Sequence, residues 1–233
     1  MSTAARARQE PRRLEFVASE IANLPGVETH AYRVGEVLLP TERLKRLHIC
    51  VRDGALGLRL AVGRANHAIL DVFGPGSLLT PQLWQGDSTA EGRHAAALLP
   101  TTTLELPAEA FDRHLTAHLP LALAVLAWDT YQYTALLDRL AMLSLRDPLR
   151  RVANTLLLLA DRIAAAGDSP ASARLQVSQD LIAAFANLSR QTTNRQLRRL
   201  ARAGLADLER RAVDVRDLAA LRGVAAGRRP APH

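Results

Sequence analysis

Arg190, Gln191, Asn194 and Arg195 fall within six consecutive positions of this 233-residue chain. Arg, Gln and Asn are the side chains that can make paired hydrogen bonds to guanine or adenine edges in a DNA major groove. Arg198, Arg199 and Arg202 extend the same segment, while Thr193, Leu197 and Leu200, with Gln196 beside them, recur on its opposite side. From 178 to 202 there are five arginines and a single acid, Asp180. A solvated surface helix usually alternates charge signs to gain i,i+4 pairs, and this segment does not. The chemistry implied is recognition of an ordered polyanion, double-stranded DNA above all, rather than catalysis.

Two helices and a tight turn are needed to present those side chains. In VSQDLIAAFANLSRQTTNRQLRRLARAGL, Ser178 is placed to cap a first helix whose inner face is Leu181, Ile182 and Phe185. Asn187 stands where the turn requires a left-handed residue, and Leu188 follows to plug it. Ser189 caps a second helix that runs to about Ala203 and stops at Gly204. Beyond it, LADLE and AVDV flank Arg210 and Arg211, the pattern of a small β hairpin with phosphate-seeking arginines at its tip. From Arg174 to Arg211 eight arginines stand against three acids, a net of +5, so most of the chain's +7 lies in this module. Upstream, Asp147-Pro148 starts another helix, with Pro near its first position and an acid by the positive end of the dipole.

A long helix is expected from Leu119 to Ser144. Leu119, Leu123, Leu126, Thr130, Tyr133, Leu137 and Leu140 are spaced 4-3-4-3-4-3 along it. That heptad spacing lets two helices pack side by side, so these residues form the expected homodimer interface. A second row (Leu121, Val125, Trp128, Leu136, Leu143) is expected to cover the chain's own N-terminal domain. That domain, from about 29 to 107, consists of short runs, YRVGEVLL, LHICV, LGLRLAV, AILDVF and TTTLEL, punctuated by Asp53-Gly54, Gly63, Gly74-Pro75-Gly76 and Gly86-Asp87. The pattern is that of a β sandwich or roll. Residues 1–13 read as a basic arm, 14–24 as a short amphipathic helix ended by Pro25-Gly26, and 223–233 as a disordered tail. The expected domains are therefore 1–117, 118–145 and 146–222, an α+β chain.

Other chemistries find less support. One cysteine, Cys50, excludes an internal disulfide framework and any multi-thiolate cluster. The seven histidines are dispersed and none has the His-x-His spacing of a small metalloenzyme; no Gly-rich phosphate loop or nucleophile elbow is present. His48 and Cys50 could share one face of a strand, which keeps a metal or haem open, although a buried thiol beside a surface histidine is the commoner arrangement. No metal and no cofactor is expected. The basic N-terminus lacks the apolar run of a secretory signal, and the longest apolar stretch, Leu119 to Trp128, is too short for a membrane span. A soluble cytoplasmic protein with no membrane partner is expected.

A roll carrying GEVL and FGPGS, a long dimer helix, DPLRRVANTLLLLA and SQDLIAAFANLSRQTTNRQLRRLARAGL, in that order, resembles the Crp/Fnr family of transcription regulators. The resemblance implies an N-terminal cyclic-nucleotide-binding-like β-roll (a jelly roll), a dimerisation helix and a C-terminal winged helix-turn-helix. It implies base contacts from Arg190, Gln191, Asn194 and Arg195 and phosphate contacts from Ser178, Ser189, Thr192, Arg198, Arg199, Arg210 and Arg211. It also implies a homodimer on an inverted repeat, and RNA polymerase as a further partner if the protein activates. Many members carry Glu where this chain has Gln191, which shifts the preference at that base pair from cytosine toward adenine. Members that bind cyclic nucleotides use a Gly-Glu pair and an Arg-Ser element. Here Thr80-Pro81 stands at the first and Arg93-His94 at the second, and Leu136 and Leu137 replace the base-binding hydroxyl residues. A degenerate effector pocket at Thr80, Arg93, His94, Leu136 and Leu137 would leave ribose and base edges unpaired, so regulation without cyclic AMP is expected. An effector of another kind, a small molecule or haem, stays open.

Overall fold

In the computed structural model, residues 17–38, 44–61, 67–84, 93–163 and 171–228 are described. The chain divides into two compact units, one of residues 1–65 and 71–135 and the other of residues 66–70 and 136–233. The boundary thus falls inside the long helix rather than at 117 and 145.

The first unit is built on turn-punctuated strands. After helix α1 (17–22) come β1 (Glu28–Tyr32), β2 (Val37–Leu38), β3 (Leu47–Asp53), β4 (Leu56–Ala61), β5 (His67–Phe73), β6 (Leu78–Leu79), β7 (Arg93–Ala97) and β8 (Thr101–Pro107). They form two four-stranded sheets, ordered β1-β8-β3-β6 and β2-β7-β4-β5. The β1–β8, β3–β8, β3–β6, β2–β7 and β4–β7 pairs are antiparallel. The first four residues of β5 group with the second unit. YRVGEVLL, which reads as one run, is split: a turn at Gly35, with φ +85°, sends its two halves to different sheets. The turn after Asp53 admits only glycine, because a Cβ on Gly54 would lie 2.2 Å from the Pro100 carbonyl oxygen. Strand alternation is faint in the sequence because four of the five β7 residues are buried, three of them alanines.

The core of this unit joins Ile49, Val51, Leu56, Val72, Leu79, Leu104 and Leu106 to Phe111 of α2 (Ala108–Ala117) and Leu121 of α3 (Leu119–Leu143). Trp128 of α3 is also buried and donates its indole N–H to the Leu78 carbonyl at 3.3 Å. The second row expected on this helix is therefore only partly covered. Leu121 and Trp128 are buried, Val125 and Leu143 half-buried, and Leu136 is exposed with the heptad residues. Leu136 stands eight residues after Trp128, which at 3.6 residues per turn rotates it by about 80° toward the exposed heptad face.

The second unit takes the last part of α3 and adds α4 (Pro148–Ile163), β9 (Ala173–Leu175), α5 (Gln179–Ala186), α6 (Arg190–Arg202), β10 (Ala206–Leu208), β11 (Val213–Val215) and α7 (Leu218–Ala225). Asp147 caps α4 as its position predicts, accepting the Leu149 N–H at 2.9 Å. The strands form a small antiparallel sheet ordered β10-β11-β9. Leu149, Val152, Leu156 and Leu159 of α4 share the core with Leu175, Ile182, Phe185, Leu197, Leu200, Val213 and Leu221. The chain does not fray after Arg222 as expected: α7 continues to Ala225, Val224 is buried, and Arg150 of α4 donates to the Ala225 carbonyl at 3.1 Å. Packing on α4 decides this end of the chain, which periodicity in a short alanine- and glycine-rich stretch cannot reveal. The basic arm, 1–13, and residues 229–233 lie outside the described residues.

Candidate nucleic-acid interface

The turn that presents α6 is built from local contacts. Ser178 Oγ accepts the Leu181 N–H at 3.1 Å and starts α5. Asn187 closes α5 at φ 50°, ψ 50°, the only non-glycine residue with positive φ among the described residues. The Leu188 N–H returns to the Ala183 carbonyl at 3.0 Å, and Arg151 of α4 donates to the Asn187 carbonyl at 3.3 Å. Ser189 Oγ accepts the Thr192 N–H at 3.1 Å and hydrogen-bonds the Thr192 hydroxyl at 2.9 Å. At the far end Gly204, at φ +66°, stops α6, and the Leu205 N–H bonds back to the Leu200 carbonyl at 3.0 Å.

With both ends fixed, α6 exposes Arg190, Gln191, Arg195, Arg198, Arg199 and Arg202, and buries Thr193, Gln196, Leu197 and Leu200. Asn194 lies between these faces, half-buried. The exposed face is a continuous array of donors with a glutamine near its N-terminal end. Its one ionic restraint among the described residues is Asp180 of α5, 3.0 Å from Arg190. Both partners are exposed, so the pair is worth at most about 1 kcal/mol and yields readily to a stronger anion.

The β10–β11 hairpin carries Arg210 and Arg211, both exposed, at its tip. The nearby acids are drawn into pairs: Arg174 contacts Glu209 at 2.8 Å and Asp214 at 2.6 Å, and Arg216 contacts Asp207 at 2.5 Å. The tip therefore presents two arginines, while the three acids nearby share two arginines between them.

The residues considered for an effector are scattered in exposure. Arg93 is half-buried and donates to the Leu83 carbonyl at 2.9 Å; His94 is buried, Thr80 half-buried. Leu136 and Leu137, in the other unit, are exposed. His48 is a buried residue, not a surface one: it packs on Phe111 at a ring-centroid distance of 4.5 Å, and burial pulls its pKa below the usual imidazole value against the pull of nearby Asp112. Burial pushes the Cys50 thiol up to about 12, so it stays protonated at neutral pH, which disfavours it as a metal ligand. Trp84 is a core residue. His67's side chain lies outside the described residues.

One buried arrangement escaped the sequence. Arg139, buried near the end of α3, places its guanidinium 4.0 Å over the Phe185 ring and donates to the carbonyls of Phe185, at 3.4 Å, and Ile69. It thereby fastens the last residue but one of α5 to α3. An arginine among exposed helix positions carries no sequence signal of burial.

Comparison with known proteins matches residues 150–224 to the Crp-like helix-turn-helix domain. Solved structures share the fold over most of the chain. FixK2 from Bradyrhizobium japonicum is 18% identical, covering 87% of this chain and 99% of its own, with a TM-score of 0.70. A cyclic nucleotide-binding domain containing protein from Listeria monocytogenes is 13% identical, with 88% and 97% covered and a TM-score of 0.72. TTHB099 from Thermus thermophilus, a transcriptional regulator of the CRP family, is 22% identical, with 85% and 97% covered and a TM-score of 0.68. No curated protein sequence matches the chain.

Proposed function

We propose that this chain, which carries a Crp-like helix-turn-helix domain within the fold of the Crp/Fnr regulators, is a homodimeric transcription regulator that reads an inverted-repeat operator without cyclic AMP. The observation that carries the reading is the exposed face of α6, where arginines and Gln191 stand together beyond a rigidly capped turn. Arg190, Gln191, Asn194 and Arg195, in the N-terminal half, meet base edges, the half of a recognition helix that enters the major groove. Ser178, Ser189, Thr192, Arg198, Arg199, Arg210 and Arg211 meet phosphates and set the register. The exposed heptad seam of α3 supports the dimer. Arg93's bond to the Leu83 carbonyl, and leucines at positions 136 and 137, support independence from a cyclic nucleotide. No described helix is long and apolar enough to cross a membrane. An activator of this kind would also meet RNA polymerase.

Selection of binding sites from random duplexes tests the reading. The expected product is an inverted repeat whose half-site centres are about 10 bp apart, one helical turn. Adding cyclic AMP leaves the affinity unchanged; a rise on adding it would instead establish an effector-gated regulator. Arg195→Ala relaxes the selected sequence at one base pair per half-site, at a cost of about 1–3 kcal/mol in discrimination. Arg198→Ala weakens every duplex alike and lowers the slope of log affinity against log salt by about one per subunit. Wild-type behaviour in both variants would sink the assignment of α6.

A further inference from the structure

The last turn of α2 bears His114, and His118 follows at its C-terminal cap, four residues on. The two imidazoles stack with centroids 5.4 Å apart. Glu20 of α1 reaches the same place: its Oε2 lies 3.8 Å from His118 Nε2. One potential ligand atom from each of the three residues falls within 4.8 Å of the other two, and all three residues are half-buried. None belongs to the DNA-facing surface, and all three lie in the first unit.

We infer that Glu20, His114 and His118 form a binding site for a divalent transition-metal ion of the zinc type. Histidines at i and i+4 on a helical turn can chelate one ion, and a carboxylate from another element supplies a third ligand, with water in the fourth position. Two imidazoles and one carboxylate suit zinc, nickel or copper and disfavour calcium and magnesium, which prefer oxygen throughout. Ligand atoms around tetrahedral zinc stand about 3.4 Å apart, given bonds of about 2.0–2.1 Å. Closing the cluster from its present span takes an ångström or so, within reach of side-chain rotation in half-exposed residues. The 3.8 Å between Glu20 and His118 is too long for a hydrogen bond, so the pair gives up little when an ion enters.

His118 has a competing duty. Its Nδ1 accepts the Leu121 N–H at 3.3 Å, which caps the first turn of α3. An imidazole that accepts at Nδ1 carries its proton on Nε2. An ion on Nε2 requires the other tautomer, with the proton on Nδ1, and an ion on Nδ1 displaces the amide directly. Either way the Leu121 amide is released, so occupancy of the site is felt at the start of α3.

The test uses the untagged full-length protein, stripped with a chelator and titrated with Zn²⁺ against a chromophoric competitor. One ion per chain is expected, and Co²⁺ in its place gives the visible d–d absorption of a low-coordinate site. His114→Ala, Glu20→Gln and His118→Asn each weaken binding by about tenfold or more, the scale of disturbing a metal's surroundings. Asn keeps the cap on α3, so loss of binding in His118→Asn is not loss of the helix start. His30→Ala, away from the cluster, binds as wild type. Absence of stoichiometric binding overturns the inference, as does wild-type affinity in the three cluster variants, which would lodge the ion elsewhere. DNA binding is measured separately and stands or falls on its own.

Discussion

Leu126→Glu combined with Leu137→Glu yields a monomer that has lost operator binding. The seam these residues occupy is exposed: Leu119 at 68%, Leu123 at 57%, Leu126 at 62%, Tyr133 at 64%, Leu137 at 47% and Leu140 at 53%. A stripe of large apolar side chains this long is more than a lone helix leaves in water. Fully burying each leucine is worth about 1.5–3 kcal/mol, and a charge placed at the seam must be desolvated against its own copy across a two-fold axis. On the proposed reading a monomer would keep one recognition helix and half of the site, so affinity falls by about 10²–10⁴-fold, the advantage of joining two modest interactions. Sedimentation of wild type and variant, beside duplex titrations of each, checks both parts. A wild type that sediments as a monomer, or a variant that still dimerises, would remove α3 from the interface.

Arg139→Ala costs about 3–5 kcal/mol of stability in the second unit. The side chain is 8% exposed, and its truncation strands the Ile69 and Phe185 carbonyls and opens a void against the Phe185 ring. An unsatisfied buried polar group costs about 1–3 kcal/mol, and a desolvated cation–π contact about 2 kcal/mol. Arg139→Lys recovers only part of this, because a point charge cannot both lie flat on a ring and reach two acceptors. Amide hydrogen exchange in α5 is the discriminating measurement, since protection there must drop with Arg139→Ala while the α1, β1 and β8 amides keep theirs. Unchanged protection in α5 would mean that the contact is incidental.

What the sequence disclosed were the features whose causes are local. Ser178, Asn187, Ser189 and Gly204 each act within four residues of themselves, so their roles could be read from order alone, and α5 and α6 begin and end where those residues predict. The arginine face of α6 was legible for the same reason. What stayed hidden depends on partners far along the chain. His48 is buried because Phe111, 63 positions later, packs on it. Glu105 is a buried carboxylate because Tyr32 and Thr103 donate to it at 2.6 and 3.2 Å, and nothing in TTTLEL announces a polar strand interior. The His114/His118 spacing was in plain view but reads as two unrelated histidines until Glu20, 94 positions before His114, arrives beside them.

The pair between Asp180 and Arg190 bears on the proposed DNA contact of this arginine. A phosphate that acquires an arginine sheds condensed salt, and that release drives association at low ionic strength. Arg190, proposed above to meet a base edge, already holds an anion that is part of the chain, so its transfer to DNA would swap one covalently tethered carboxylate for a base acceptor and release no condensed ion. Asp180 would then be left without its partner near a polyanion. On the proposed reading Arg190 would be a gated contact, engaged where the base it meets outbids Asp180 and returned where it does not. Among the described residues it is the α6 cation with an ionic partner on the chain, so its engagement would be set by fit as well as by charge.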